Sequence, residues 1–315
     1  MNVLFLSRWF PHPPDNGSKI RVFNLIRRLS LHHEVDLISF TSAIVAEERL
    51  AVMRRYCRRV DVALYEPFQP DRLKARLGFL SWQPRSVIDT HSVEVQRLVE
   101  EAGRRCSFDV VVASEIDMAP YALALPDTPR VLEELEVTKI HDRVSEEHSL
   151  LKRLRGGLTW WKLARYIAAL LRAFDGCTVV SEREREQVLQ VSPRGCPVVV
   201  VPNGVDVAGY AMDAGSPEAD TLVYSGALTY SVNFDAVAVC LREVFPLIQV
   251  KRPDVRLSVT GRLEGVPIAR LPANDGLVLT GYLDDVRPTV ARSWACVVPL
   301  RVGGGTRLKI LEALA

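Results

Sequence analysis

Short runs of apolar residues alternate along the chain with longer stretches whose apolar residues recur at the spacing of a helix. The first part of the chain holds five such runs: NVLFLS, EVDLISF, FDVVVAS, GCTVVS and PVVVVPNG. Four more follow: TLVYSG, VRLSVTG, GLVLTG and WACVVPL. Strands that are apolar throughout, with helices between them, are typical of a parallel sheet covered on both faces. The pattern therefore predicts a doubly wound α/β protein.

The chain changes character over residues 201–220, VPNGVDVAGYAMDAGSPEAD. A strand ends there in Pro-Asn-Gly, and a polar segment rich in Gly, Ala and Asp precedes the next strand. We place a domain boundary in this segment, with a first α/β domain over residues 1–205 and a second over residues 206–315. A length of 315 residues suits two domains of ordinary size.

Two basic segments differ from the rest of the pattern. Residues 46–60, AEERLAVMRRYCRRV, have the spacing of an amphipathic helix, and residues 150–176 combine lysines and arginines with Trp160 and Trp161. Basic residues beside tryptophans occur where a helix lies at a membrane interface. A long helix that packs its apolar stripe on the sheet and leaves its arginines in water has the same composition. We favour the packed helix, and a peripheral contact with the inner membrane is the alternative.

Composition narrows the class of protein. The chain is 48% hydrophobic and 25% charged, as globular proteins are, and its net charge of +2 does not suggest a nucleic-acid partner. Its six cysteines are scattered without the spacing of a metal site, which predicts reduced core residues in a cytoplasmic protein. No apolar run approaches the ~18 residues of a membrane-spanning helix.

Glycine follows several of the predicted strands, at the end where parallel sheets bind their ligands. Gly17 opens the helix after the first strand, and Gly226, Gly261, Gly281 and the triplet Gly303–Gly305 follow strands of the second domain. A row of turns without side chains leaves backbone N–H groups accessible to a diphosphate, although the spacing excludes a P-loop. Basic side chains that could counter its negative charge lie nearby in the sequence: Arg262, Arg301, Arg307 and Lys309.

Glu312 stands three residues after Lys309, among apolar neighbours. One interpretation is an exposed helix charge, or a carboxylate that forms an i,i+3 pair with Lys309. The other is a carboxylate that accepts hydrogen bonds from the ribose hydroxyls of a ligand, as acidic residues do in dinucleotide sites. The residues alone leave both interpretations open.

Taken together, the segments resemble glycosyltransferase family 4, the retaining enzymes of the GT-B fold, and within it the exopolysaccharide and PEP-CTERM-associated sugar transferases. The segments that carry the resemblance are FPHPPDNGSKIRVFNLIRRLSLHHEVDLISF, FDVVVASEIDMAPYAL, DGCTVVSERE, VVVVPNGVD, YSGALTYSVNFDAV and PLRVGGGTRLKILEALA. The resemblance implies two Rossmann-like domains, the first on the acceptor side. The second would bind a nucleoside-diphosphate sugar as substrate, with neither a cofactor nor a metal ion.

Site residues follow from the resemblance as well. The turn at 304–306 would meet the donor diphosphate through its backbone, with Arg307 or Lys309 adding charge during catalysis. Glu312 corresponds to the second glutamate of the family's E-x7-E motif, which binds the donor ribose, whereas the first glutamate is replaced by glycine here. The remaining predicted donor contacts are Gly17, Gly226, Arg262, Gly281, Tyr282, Gly304, Gly305 and Thr306.

In the first domain, the family's usual histidine after the fourth strand is replaced by Ser114-Glu115. We take Glu115 as a catalytic candidate, with Glu115 or Asp117 positioning the acceptor or the donor. The alternative is that these carboxylates only cap the helix that begins near Met118. The stretch GALTYSVN also lacks the basic residues that many relatives place against the phosphates, and Arg262 is the candidate replacement.

The sequence thus predicts a glycosyltransferase that moves a hexose from a nucleoside-diphosphate sugar to a glycan or a lipid-linked acceptor in polysaccharide biosynthesis. Two alternatives stay open: a nucleotide-sugar epimerase of the GT-B fold, and a catalytically inactive nucleotide-sugar-binding fragment. A Rossmann-like domain has about six strands, and the pattern gives four after residue 205. We therefore also expect a C-terminally truncated family member, with a second domain that is incomplete and an activity that is weak.

Overall fold

A computed structural model describes residues 1–133, 135, 137, 150–210, 215–301 and 307–315. The described residues form two compact units, unit 1 up to Asn203 and unit 2 from Gly204. Each unit holds a parallel sheet whose strands are separated along the chain by helices. The doubly wound α/β architecture predicted from the sequence is confirmed.

The sheet of unit 1 has seven strands in the described part of the chain, in the order β3-β2-β1-β4-β5-β6-β7, and each neighbouring pair is parallel. Strand β1 is apolar throughout because both of its faces are covered, and Leu4, Phe5 and Leu6 are fully buried. The strands are β1 Asn2–Ser7, β2 Glu34–Thr41, β3 Arg59–Leu64, β4 Val110–Ser114, β5 Arg130–Glu133, β6 Gly176–Val179 and β7 Val198–Val200.

Helices connect these strands, and among the described residues polar side chains cap three of the helices. Asn16 accepts a hydrogen bond from the Lys19 N–H at 3.0 Å, and Ser92 and Ser181 cap their helices in the same way. Such caps satisfy N–H groups that the first helical turn leaves without partners. The helices are α1 Gly17–Leu29, α2 Glu47–Met53, α3 Leu73–Leu77, α4 Arg85–Asp89, α5 Val93–Arg105, α6 Ala119–Ala122, α7 Leu150–Ala173 and α8 Glu182–Val191.

The sheet of unit 2 has four parallel strands among the residues described, in the order β10-β9-β8-β11. Helix α10 runs through a π-helical turn at Cys240–Val244 into α11, whose first turn contains Pro246, a residue without an N–H donor. The strands are β8 Glu218–Ser225, β9 Arg256–Thr260, β10 Leu277–Gly281 and β11 Ser293–Cys296. The helices are α9 Val207–Tyr210, α10 Ser231–Val239, α11 Phe245–Lys251, α12 Arg287–Arg292 and α13 Leu308–Leu314.

Strands β3 and β5 are absent from the sequence prediction. The helix predicted over residues 46–60 ends at Met53, and Arg59 already belongs to β3. The sequence RVDVAL alternates charged and apolar residues, which suits a strand at the edge of the sheet, where β3 lies. A prediction based on continuous apolar runs therefore passes over this strand.

Helix α7 packs on the core of unit 1. Its residues Tyr166, Ile167 and Leu171 are buried, whereas Trp161 is 53% exposed. The buried stripe agrees with the packed helix that the sequence favours for residues 150–176. Within the described part of the chain, no helix is both long and apolar enough to cross a membrane.

Candidate functional site

In unit 1, the segments that follow β1 and β4 are joined at the edge where these strands end. Ser7 and Ser114 are the last residues of the two strands, and they lie in register. Just beyond them, the indole Nε1–H of Trp9 donates to the Oε1 atom of Glu115 at 2.9 Å. This hydrogen bond holds the Glu115 carboxyl at the ends of β1 and β4.

The backbone of Glu115 lies in the left-handed region, with φ 68°. This conformation costs a residue with a side chain about 1–2 kcal/mol, and it persists only where its surroundings hold it. Here the Glu115 N–H donates to the Glu133 carbonyl oxygen at 2.9 Å. The carboxyl points to Trp9, and the N–H groups of Met118, Ala119 and Tyr121 at the start of α6 donate to backbone carbonyl oxygens. The capping role considered for Glu115 is therefore wrong.

The Glu115 carboxyl changes its charge near neutral pH. Burial and, second, the Asp117 carboxylate raise the pKa of Glu115 to about 7, while Arg8 and hydrogen bonds from Ser18 and Trp9 act in the opposite direction. The carboxyl is thus divided between its protonated and ionised forms at neutral pH. Groups with this property are suited to exchange a proton with a substrate.

Asp117 pairs with an arginine and does not cap α6 either. The Arg8 Nε atom lies 3.1 Å from the Asp117 Oδ2 atom. The guanidinium carbon of Arg8 lies 3.3 Å from the ring centroid of Tyr65 and 4.2 Å from that of Trp9. Arg8 is a buried cation that is stabilised by one carboxylate and two aromatic faces.

A buried ion pair connects α1 to the ends of β4 and β5. The Arg21 Nε atom donates to Glu133 Oε1 at 2.6 Å, and the Ser114 hydroxyl donates to Glu133 Oε2 at 2.8 Å. Arg21 Nη1 donates to Asn203 Oδ1 at 3.0 Å, whereas its buried Nη2 atom has no partner in the described part of the chain. This network is absent from the sequence prediction. Its signal in the sequence is a charged residue within an otherwise apolar strand or helix.

In unit 2, glycine turns form the corresponding edge of the sheet, and their backbone groups bond to one another. The N–H of Gly226, after β8, donates to the Thr260 carbonyl oxygen at 3.2 Å, and the N–H of Gly261, after β9, donates to the Gly281 carbonyl oxygen at 2.9 Å. A Cβ atom on Gly261 would lie 2.6 Å from the Ala227 backbone, and its φ of 117° also favours glycine. The glycine at this position is therefore required by close approach of two segments.

Lys309, on α13, extends its ammonium group to this edge. Its Nζ atom lies 3.4 Å from Asn233 Oδ1, 3.9 Å from the ring centroid of Tyr224, and 2.8 Å from where a Cβ atom on Gly226 would stand. The Tyr224 hydroxyl donates to the same Asn233 oxygen at 2.7 Å. Burial lowers the pKa of Lys309 to about 8, against the opposing effects of Cys296 and Glu312.

Glu312 lies one helical turn beyond Lys309 and is half-buried. Burial raises the pKa of its carboxyl, whereas a hydrogen bond with the Tyr210 side chain and the charge of Lys309 act to lower it. The interpretation of Glu312 as an exposed helix charge is therefore wrong. The contribution of Tyr210 has no signal in the sequence, because this residue lies far from α13 along the chain.

The other predicted residues are placed as follows. Gly17 is the first residue of α1, and Arg307 immediately precedes α13. The exposed Arg262 has its guanidinium carbon 5.0 Å from the ring centroid of Tyr282, and Arg301 pairs with Asp235 at 3.0 Å. Three predicted donor contacts lie outside the described residues: Gly304, Gly305 and Thr306. Within the described part of the chain, no cluster of His, Cys, Asp and Glu side chains could hold a metal ion.

The chain matches two models of known protein families. Residues 15–208, more than half of the chain, match the model described as Glycosyltransferase Family 4. The chain belongs to this family. Residues 219–315 match the model described as Glycosyl transferases group 1. They include α13 and the strand-end glycines Gly226, Gly261 and Gly281, which we call the glycine edge. No curated protein matches the chain.

Solved structures share the fold of this family 4 member. A sucrose-phosphate synthase from Thermosynechococcus elongatus has a TM-score of 0.61 and 14% identity, over 100% of this chain and 79% of that one. An α,α-trehalose 6-phosphate synthase from Burkholderia multivorans has a TM-score of 0.54 and 13% identity, over 99% and 81%. A protein described as a UDP-N-acetylglucosamine 2-epimerase from Listeria monocytogenes has a TM-score of 0.52 and 12% identity, over 94% and 73%. Together they show the GT-B fold, which transferases and epimerases share.

Proposed function

We propose that this family 4 member is a retaining glycosyltransferase that moves a hexose from a nucleoside-diphosphate sugar to a glycan or a lipid-linked acceptor in polysaccharide biosynthesis. The observation that carries the proposal is the juxtaposition of Lys309 with Gly226. A desolvated ammonium group stands at a strand end that has no side chain, with Glu312 one turn further along the same helix. An anionic ligand can pair with the cation at such a place.

Lys309 would stabilise the leaving diphosphate. As the bond between the anomeric carbon and the phosphate oxygen breaks, negative charge grows on the diphosphate, and a cation placed beforehand stabilises the transition state more than the ground state. With a pKa of about 8, Lys309 is mostly protonated at pH 7. Its charge acts strongly on a nearby phosphate because little water surrounds it. Arg307 and the backbone of residues 304–306 are further proposed contacts.

Glu312 would bind the donor ribose. A carboxylate accepts hydrogen bonds from two adjacent hydroxyl groups, and the Tyr210 side chain interacts with the Glu312 carboxyl and lowers its pKa. The position also corresponds to the ribose-binding glutamate of the family motif. Gly281, Tyr282 and Arg262 stay proposed donor contacts on the same unit, and Gly17 is a proposed contact from unit 1. No cofactor or metal ion is part of the proposal.

Glu115 would position the acceptor hydroxyl. Its carboxyl is fixed at the strand ends by Trp9 and can accept or donate a hydrogen bond near pH 7. In a retaining mechanism of this family, the leaving phosphate takes the acceptor proton, so the enzyme needs a group that orients the acceptor rather than a paired-carboxylate hydrolase site. A peripheral contact with the inner membrane would suit the lipid-linked form of the acceptor.

Calorimetric titration of Glu312→Gln with nucleoside-diphosphate hexoses tests the proposal. We expect donor affinity to fall by about 10–100-fold, because the ribose loses hydrogen bonds to a charged group. The control is Glu243→Gln, which removes an exposed carboxylate from the π-helical turn and should leave donor affinity unchanged. Unchanged donor affinity in Glu312→Gln would contradict the assignment. Donor binding followed by epimerisation without an acceptor, or by no turnover, would favour the epimerase or the inactive binding fragment.

A further inference from the structure

Unit 1 carries an exposed apolar surface that the proposed activity does not use. It is formed by α3, by the segment that follows it, and by one turn of α7. Leu80 is 91% exposed, Leu73 72% and Phe79 61%. Apolar side chains of this size, exposed together, commonly mark a site of interaction with a protein or a membrane. We call this surface the apolar crest, and its members are Leu73, Leu77, Phe79, Leu80, Trp82 and Trp161.

The apolar crest is held firmly by polar contacts on its inner side. The Lys162 Nζ atom, on α7, donates to the Phe79 and Ser81 carbonyl oxygens at 2.8 and 2.9 Å. Arg85 donates to the Ala75 and Pro70 carbonyl oxygens at 2.7 Å each. The backbone is thus bonded toward the protein while the large apolar side chains face water.

Helix α3 packs through its small residues. Ala75 is fully buried, and a Cβ atom on the buried Gly78 would approach the Ala75 carbonyl oxygen at 3.2 Å and the Ile88 side chain at 3.3 Å. Leu73 and Leu77, four residues apart, are 72% and 58% exposed. Burial of the small residues and exposure of the leucines is the reverse of the usual amphipathic arrangement.

The charged residues within α3, the segment that follows it and α7 are all basic. Residues 73–82, LKARLGFLSW, contain Lys74 and Arg76 and no acidic residue, and α7 contains no acidic residue along its whole length. The guanidinium carbon of Arg165 lies 4.9 Å from the ring centroid of Trp161. Among the described residues, the Asp71 Oδ1 atom lies 3.8 Å from the Arg76 Nη2 atom at an exposed position, where an ion pair is weak.

We propose that the apolar crest docks unit 1 on the surface of an anionic lipid bilayer. Apolar and aromatic side chains would enter the boundary between headgroups and acyl chains, and Lys74, Arg76 and Arg165 would lie at the lipid phosphates. The docking surface differs from the helix suggested by the sequence, because α7 turns Tyr166 and Ile167 into the core and contributes only Trp161 and Arg165 to the proposed surface. The proposal does not depend on the transferase activity.

Flotation of the full chain with lipid vesicles tests the proposal. We expect the wild type to bind vesicles of mixed phosphatidylglycerol and phosphatidylcholine, and to bind pure phosphatidylcholine much more weakly. Leu77→Ser combined with Leu80→Ser should weaken binding by about tenfold or more, because two exposed leucines no longer enter the bilayer. Lys74→Glu combined with Arg76→Glu should remove the preference for the anionic vesicles.

A matched control separates docking from general hydrophobicity. Leu247 and Val250, on α11 of unit 2, are 69% and 82% exposed, so Leu247→Ser combined with Val250→Ser removes as much exposed apolar surface elsewhere. This control should bind vesicles as the wild type does. No binding of the wild type to anionic vesicles would overturn the proposal. Equal losses of vesicle binding in the two serine double variants would also overturn it. So would a wild-type dimer that Leu77→Ser with Leu80→Ser abolishes while vesicle binding stays unchanged.

Discussion

The strand ends of unit 1 carry polar side chains, whereas those of unit 2 are glycine turns. In unit 1 they carry side chains that are already paired: Trp9 with Glu115, Arg8 with Asp117, and Arg21 with Glu133. In unit 2 they are glycine turns whose N–H groups bond to neighbouring turns, with the ammonium group of Lys309 beside them.

This difference indicates what each edge can recognise. Side chains that are fixed by their neighbours present a defined set of polar groups, as suits the orientation of one hydroxyl group. In unit 2 the N–H groups of Gly226 and Gly261 are bonded to neighbouring turns, whereas no atom lies within 4 Å of a Cβ atom built on Gly281. The Lys309 cation beside Gly226 and the open position at Gly281 suit an anionic ligand such as a diphosphate. If the comparison is right, substitutions in unit 1 act mainly through lost pairing or proton binding, whereas substitutions in unit 2 act through lost space or lost charge.

The largest effect is expected from Arg21→Met in unit 1. The variant leaves the Glu133 carboxylate buried beside Ser114 without its ion-pair partner, which should lower the free energy of unfolding by about 4 kcal/mol. Urea denaturation measures this loss. Arg21→Met combined with Glu133→Gln removes the unpaired charge and should be more stable than Arg21→Met alone. A double variant that is as unstable as the sum of the single variants would show that the pair does not act as a unit.

Glu115 is expected to change the free energy of unfolding by about 3 kcal/mol between acidic and alkaline pH. Because the folded protein raises its pKa from 4.5 to about 7, the folded state binds the proton more tightly than the unfolded state does. The stability that comes from this proton is present below pH 4.5 and is lost as the pH rises through 7. The wild type should therefore lose about 3 kcal/mol of unfolding free energy relative to Glu115→Gln between pH 4 and pH 8. Parallel pH profiles of the two proteins would contradict the assignment.

In unit 2, two glycines separate the effect of space from that of backbone conformation. Gly261→Ala adds a Cβ atom 2.6 Å from the Ala227 backbone, whereas Gly265→Ala, at φ 74°, meets no atom within 4 Å. We expect Gly265→Ala to cost about 1 kcal/mol and Gly261→Ala about 2 kcal/mol more. Urea denaturation measures both. Equal costs would mean that the close approach at Gly261 does not determine the choice of glycine.

The sequence predicts the strands that are buried on both faces and misses those that are not. The runs NVLFLS and FDVVVAS are continuous because β1 and β4 lie inside the sheet. Strand β3 is an edge strand with alternating residues, and β5 has only four residues with a charge at each end, Arg130 and Glu133. Neither gives a continuous apolar run.

For the site, the sequence predicts residues that belong to a local motif. Lys309, Glu312 and the strand-end glycines follow from spacing within one segment or from the family motif. The partners of these residues come from distant segments: Arg21 and Glu133 are 112 positions apart, and Lys309 and Asn233 are 76 apart. A single sequence gives no distance between segments, so Tyr210, Asn233 and the Arg21 network could only be found in the structure.

The glycine edge of unit 2 as a nucleotide-sugar site is the central claim, and a thermal-shift titration of the full chain with nucleoside-diphosphate hexoses tests it most directly. At least one donor should raise the Tm of the wild type by about 5 °C near saturation. Lys309→Met should lose most of this increase, and Lys251→Met, which removes an exposed lysine at the end of α11, should keep it. The increase should also shrink as the pH rises through about 8, where Lys309 loses its proton. A Tm that no donor raises, or an increase that Lys309→Met retains in full, would contradict the claim.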